Sequence, residues 1–164
     1  MEEVVLLFGS NFKDKEIHID KAIDSIASEF KIVKKSSKFL SSSWGYNSTN
    51  DFINIAVSIV CNCSPLKLIE QTKVIENNMG RKRIKGNYYV DRIIDIDIIF
   101  YGNKQIELPE LIIPHPRFHL RKFCLLPLAE IMPDKIVPGK NKTILELLQQ
   151  CEDSGKVICM NGKI

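Results

Sequence analysis

Two aspartates stand two residues apart in RIIDIDIIF, residues 92–100, one of the most apolar stretches of the chain. In a strand the side-chain period is two, so Asp95 and Asp97 project from the same face. Their Cα atoms then lie roughly 6.5–7 Å apart. Two carboxylates at that range repel by about 2 kcal/mol at an intermediate effective dielectric, and partial burial adds a desolvation cost. Magnesium would offset both terms. It is a hard cation that takes one or two carboxylates and completes its octahedron with water and substrate phosphates. The alternative is a pair of acids facing water on a sheet with one wet face. Cationic groups favour the metal reading: Arg81 and Arg83 in RKRIK, Arg92 at the entry to the Asp strand, Arg121 in RFHLRK, and His115 between two prolines in PHP. Arginine offers phosphate a planar fork of donors, and with paired acids it makes the parts of a metal-plus-polyphosphate site. By strand parity Arg92 points away from the acids, unless the strand entry is twisted. The chain has no G-x-x-x-x-G-K-[ST] and no G-x-G-x-x-G, so a nucleotide would be held by side chains and metal, not by a glycine cradle.

The elements that must position these groups can be read from periodicity. VVLLF, residues 4–8, is a continuous apolar run ending at Gly9, as in a central strand buried on both faces. Residues 14–30 carry Ile19, Ala22, Ile23, Ile26, Ala27 and Phe30 at helical spacing. A strand is expected over 31–42, followed by the polar, turn-rich SSSWGYNSTN. FINIAVSIVC, residues 52–61, alternates: Ile53, Ile55, Val57 and Ile59 share one face, and Phe52, Asn54, Ala56 and Ser58 the other. Ser64-Pro65 opens a second helix that Gly80 stops. YGNKQ turns the Asp strand into a short return strand. Thr143 and Glu146 form a capping box before a helix over 144–151. The resulting strand, helix, strand, strand, helix, strand order predicts an α+β fold: a ferredoxin-like βαββαβ core, its antiparallel-containing sheet covered by helices, with C-terminal additions. A fold of this kind hosts many functions, so function must come from the site.

At 164 residues, with 45% hydrophobic and 26% charged residues, the chain suits one globular domain. No apolar run is long enough to span a bilayer. The acidic start, MEEVV, does not read as a secretory signal, which favours the cytoplasm. Five scattered cysteines lack zinc-like spacing and read as reduced structural thiols. A net charge of +3 does not by itself indicate nucleic acid.

Five motifs in order carry a resemblance: F-G-S-N at 8–11, D-F-I-N at 51–54, I-E-N-N-M-G-R-x-R at 75–83, R-x-x-D-I-D-I-I at 92–99, and P-H-P-R-F-H-L-R-K-F-x-L-x-P-L-A-E at 114–130. Together they resemble the 6-hydroxymethyl-7,8-dihydropterin pyrophosphokinase family of folate biosynthesis, over residues 4–150. The resemblance implies a single catalytic domain, 1–164, with a tail at 151–164 of no assigned role. It implies transfer of pyrophosphate from ATP to the pterin hydroxymethyl group, with AMP as the other product. It implies that Asp95 and Asp97 hold two magnesium ions bridging the ATP phosphates. Arg81 and Arg92 would neutralise developing phosphate charge, with Arg83, His115 and Arg121 also contacting ATP. Glu76 would help to orient the nucleotide. Phe52 and Phe123 would sandwich the pterin, and Asn54 would read its polar edge, helped by the loop of Ser41, Trp44 and Gly45. The loops at 41–50 and 81–91 would act as lids. ATP and the pterin are the implied partners of a monomer, with no nucleic acid and no membrane.

The chain departs from the family pattern at three places. Asp91 puts an acid beside Arg92, with Tyr88 or Tyr89 in place of the usual tryptophan. The first lid, SSSWG, has no proline. Glu110 and Ile112 stand where many relatives contact ATP. Two other classes compete. A D-x-D sugar-nucleotide transferase would usually be longer, with alternating strands and helices. An RNA-binding module on a ferredoxin-like sheet would need an aromatic R-G-F-x-F-like strand, which is absent.

Overall fold

The computed structural model describes residues 1–44, 49–80 and 91–161. β1 (Glu2–Ser10) is the central strand, antiparallel to β4 (Phe52–Cys61) on one side and β5 (Asp95–Tyr101) on the other. With β3 (Phe39–Ser41) and β8 (Val157–Cys159), the main sheet runs β5-β1-β4-β3-β8, and β2 (Lys31–Lys35) also pairs with β4. The alternation read from sequence explains why β1 and β4 sit at the centre. Val4, Leu6 and Phe8 join Ile53, Ile55, Val57 and Ile59 in a core beneath α1 (Lys15–Glu29) and α2 (Pro65–Asn78). Val5, Leu7 and Ala56 face the other way, beneath α3 (Lys122–Ile131) and α4 (Ile144–Gln149). Fully burying each large aliphatic side chain contributes about 1.5–3 kcal/mol, so a one-residue slip would expose a whole row.

Local signals set the helix ends. Ser64 Oγ accepts the Lys67 N–H at 3.2 Å, with Pro65 in the first turn, and Gly80 ends α2 at φ 93°. Thr143 and Glu146 form the expected capping box, although α4 stops at Gln149, two residues early.

The structure corrects two expectations and adds a third feature. The strand expected over 31–42 is two strands, β2 and β3 (Phe39–Ser41). Between them buried Ser36 donates its N–H to Ala56 O and accepts the Ala56 N–H on Oγ, at 2.9 and 3.0 Å. The serine side chain thus takes over part of the ladder and lets the edge break. The return strand β6 (Ile106–Leu108) pairs with β7 (Leu111–Ile113) in a separate hairpin instead of with β5. The tail also has a place: β8 (Val157–Cys159) pairs antiparallel with β3 and extends the main sheet.

No helix among the described residues is long and apolar enough to cross a membrane, and the five cysteines are free thiols.

Candidate active site

The C-terminal end of β1, the start of β4 and the start of β5 lie side by side, because β1 pairs Gly9 with both Asn54 and Asp95. Asn54 is buried, and its Nδ2 donates to Ser41 Oγ at 2.8 Å. That bond fixes the amide, leaving Oδ1 directed toward Gly9. A Cβ on Gly9 would stand 3.3 Å from Asn54 Oδ1 and 3.9 Å from the Phe52 ring. The missing side chain therefore keeps the floor open beside an amide and an aromatic face. These groups and Ser42, Trp44 and Phe123 line one end of a cleft of about 660 Å³, open solvent included.

Across Gly9 from Asn54, the same cleft is lined by Arg92, Asp95 and Asp97, and Arg121 joins them from the side of the aromatic rings. Asp95 and Asp97 project on one face, as their spacing requires, while Ile96 and Ile98 fill the core behind. Arg92 Nη1 meets Asp95 Oδ2 at 2.5 Å. Arg92 precedes the strand, which begins at Asp95, so the irregular entry allowed for above is what lets it reach the acids. The backbone at Arg92 is gripped instead by the end of β1. Asn11 Oδ1 accepts its N–H at 2.6 Å, and Asn11 N and Ser10 Oγ donate to its carbonyl at 3.2 and 3.4 Å. Asp91 is drawn into this clasp: it accepts hydrogen bonds from Asn11 Nδ2, at 2.7 Å, and from Asn50 Nδ2. The acid that looked misplaced beside Arg92 ties the base of the first loop to the entry of β5.

The carboxylate end is electrostatically loaded. The Asp97 carboxyl is pushed up to about 7 by burial first, then by the Asp95 charge; Arg121 and Arg92 pull it back and Glu76 opposes them. Loss of solvation and a like charge both penalise the ionised form. The Arg121 guanidinium stacks 4.6 Å from the Trp44 ring centre and 5.7 Å from that of Phe123. Its Nε is buried without a hydrogen-bond partner among the described residues. Burial, reinforced by Arg121, holds His115 down at about 4. The ring is therefore neutral near pH 7. Its Nδ1 accepts the Arg117 N–H at 3.3 Å, which leaves the proton on Nε2, free to donate to an oxygen acceptor.

Comparison with known proteins decides the family. The model of the 7,8-dihydro-6-hydroxymethylpterin-pyrophosphokinase (HPPK) family matches residues 5–133, more than half of the chain. The chain belongs to this family. It is an enzyme of the pyrophosphokinase class. Relatives named 2-amino-4-hydroxy-6-hydroxymethyldihydropteridine pyrophosphokinase include that of Aquifex aeolicus, 35% identical over 165 residues and covering 100% of both chains. That of Haemophilus influenzae is 34% identical, over 95% of this chain and 96% of its own. For that of Synechocystis, 41% identical over 62% of this chain, the match spans about half of the relative, 51%. A crystal structure of wild-type Plasmodium falciparum HPPK-DHPS with pteroate superposes with a TM-score of 0.71 at 17% identity, over 91% of this chain and 42% of that one. At that identity the likeness shows the fold.

Against the HPPK pattern, the cleft gathers Ser41, Trp44, Phe52, Asn54 and Phe123 with Arg92, Asp95, Asp97 and Arg121. Two expected residues lie elsewhere. Glu76 is buried, and its Oε1 accepts the Ile96 N–H at 2.7 Å on the open edge of β5. That bond braces the Asp strand, and the Glu76 charge raises the Asp97 carboxyl. His115 lines a groove beside the cleft with Ile96, Asp97, Ile98 and Leu111, and Glu110 and Ile112 lie in the same groove. Gly45, Arg81 and Arg83 lie outside the described residues, with residues 45–48 of the first proposed lid and 81–90 of the second. The sequence reading missed Gly9 as floor and Ser10 and Asn11 as the clasp on Arg92. F-G-S-N signalled all three, but their partners are some 40 to 80 residues away.

Asp95 and Asp97 fit a magnesium site by chemistry. They are hard oxygen donors on one face, and the strain on Asp97 would be relieved by a cation. No larger group of His, Cys, Asp or Glu that could hold a metal occurs among the described residues, so water and phosphate oxygens would complete the shell.

Proposed function

We propose that this HPPK transfers the terminal pyrophosphoryl group of ATP to the hydroxymethyl oxygen of 6-hydroxymethyl-7,8-dihydropterin. The observation that carries the reading is the single cleft in which an aromatic and amide floor meets paired carboxylates and arginines. The hydroxymethyl oxygen attacks the β-phosphorus and loses its proton. The bond from the β-phosphorus to the oxygen bridging it to the α-phosphorus breaks, and AMP leaves with that oxygen. Magnesium, two ions on the family pattern, would neutralise phosphate charge when bound between Asp95, Asp97 and ATP. Phe52 and Phe123 stack on the pterin ring, and Asn54 reads its polar edge. Arg92 and Arg121 receive the phosphates, with Arg81 and Arg83 expected to join them. His115 donates from Nε2 to the nucleotide, and Glu76 holds the strand that carries the acids. The protein's contribution is positioning and charge stabilisation, without a dedicated base.

The sheet order supports the ferredoxin-like reading: β5-β1-β4 with β2 and β3 outside β4 corresponds to the order expected of a βαββαβ core. A strand from the tail within this sheet supports one catalytic domain over 1–164. Product identification tests the function. ATP, the pterin alcohol and Mg²⁺ should yield AMP and the pterin diphosphate; ADP in place of AMP overturns the reading.

A further inference from the structure

The C-terminal segment closes on the back of the cleft. β8 lies beside β3, and Ser42 N donates to Lys156 O at 3.3 Å, so the pairing continues toward the loop that carries Trp44. Just before β8, Asp153 makes two bonds of 2.9 Å. Its Oδ1 accepts the Gly155 N–H, and its Oδ2 accepts the N–H of Lys122, the first residue of α3. That helix has no cap of its own: Arg121 makes no side-chain cap bond, and the first turn holds no acid. The first N–H groups of a helix have no partner within it, and a carboxylate there also complements the helix dipole. Asp153 supplies both from 31 residues downstream.

The two neighbours of the capped N–H are Arg121 and Phe123. Both line the cleft, and the Arg121 guanidinium lies 4.6 Å from the Trp44 ring centre and 5.7 Å from that of Phe123. On the outer side, Trp44, Phe123, Asp153, Gly155 and Lys156 share one depression. The tail therefore touches the aromatic and cationic wall of the cleft at its backbone root and at the adjoining loop.

We propose that Asp153 is a positioning residue for the transfer reaction: by capping α3 from the C-terminal segment, it sets the angle at which Arg121 and Phe123 enter the cleft. This rests on the function proposed above, because it assigns both side chains to substrate. Without the cap the first turn of α3 frays, and the two side chains lose a common anchor. Reacting groups tolerate little displacement: about 1 Å can cost two orders of magnitude in rate.

The test compares full-length wild type, Asp153→Asn and Asp153→Ala well below their melting temperatures. It measures KM for ATP and for the pterin, kcat for AMP formation, and the emission of Trp44, the single tryptophan, during pterin titration. Asparagine keeps one acceptor oxygen and alanine none, so effects should grow from wild type through Asn to Ala. Asp153→Ala should raise both KM values roughly five- to tenfold, the scale of a lost cap, and shift the Trp44 emission. A variant that melts earlier but keeps both KM values and the Trp44 signal overturns the inference, because the cap would then serve stability alone. If Asp153→Ala does not fold, Asp153→Asn decides: a partial rise in KM supports the role, and wild-type values overturn it. Wild type that forms no AMP would remove the proposed function instead, and the Trp44 titrations across the variants would still judge the cap.

Discussion

The two ends of the cleft solve opposite problems. At the aromatic end the polar groups are already paired. Asn54 is held by Ser41 at 2.8 Å, both are buried, and Gly9 leaves the space beside them. On the proposed function this fixed, buried surface would receive the flat, hydrogen-bonding pterin ring. At the carboxylate end the charge is left in tension. Asp97 is pushed up to about 7, while Arg92 is already engaged with Asp95 at 2.5 Å. On the proposed function, a cation and phosphate oxygens would relieve that tension. On the proposed function, one end would select by shape and fixed bonds, and the other by the charge crowded around Asp97.

The sharpest way to break this contrast is to remove the charge. Asp97→Ala should lower AMP formation by about 10³-fold, yet change pterin binding less than twofold, read by calorimetry. Equal losses at both ends would mean that they are one unit. The stored tension has its own signature in the metal-free protein. The folded Asp97 carboxyl lies above its ordinary 3.8, near 7, so the native state holds a proton that the unfolded state has released across that window. Stability from this group is present below about pH 4 and is lost as pH rises toward 7. Asp97→Asn should therefore stabilise the metal-free protein at pH 8 by up to about 4 kcal/mol and do almost nothing near pH 4. Urea unfolding at both pH values checks it, and an equal effect at both would remove the tension from the account.

The preformed end should respond to shape. Gly9→Ala places a methyl 3.3 Å from Asn54 Oδ1, and should weaken pterin binding about tenfold while sparing ATP. A larger effect on ATP would shift Gly9 to the other half of the contrast. Asp91→Ala should loosen the tie from Asn11 and Asn50 to Arg92 and raise KM for ATP about fivefold, with a smaller change for the pterin. The smallest effect should come from outside the cleft. Thr143→Ala should cost about 1 kcal/mol of stability by removing the α4 cap, measured by thermal melting, with kinetics unchanged.

Much of the fold was legible because its signals are local. Period-two alternation divided β4 into its two faces, and helical spacing picked out the buried side of α1. The capping box at Thr143 and the Ser64-Pro65 start were correct from adjacent residues alone. Parity correctly put Asp95 and Asp97 on one face. The same rule could not place Arg92, because the chain there is still entering the strand. The break at Ser36 went unseen, since a serine that bonds Ala56 twice looks in sequence like any polar edge residue.

The sequence by itself determined the alternating strands, the helix caps, the shared face of the two acids and, through five ordered motifs, the family. These follow from backbone periods and short-range bonds, which act within a few residues. The tertiary structure alone decided what closes the site: Asn11 reaching Asp91 across 80 positions, Gly9 against Asn54, and Asp153 on the first turn of α3. No periodicity encodes such contacts, because they exist only once the packing of the sheet has brought distant backbone groups within hydrogen-bonding distance.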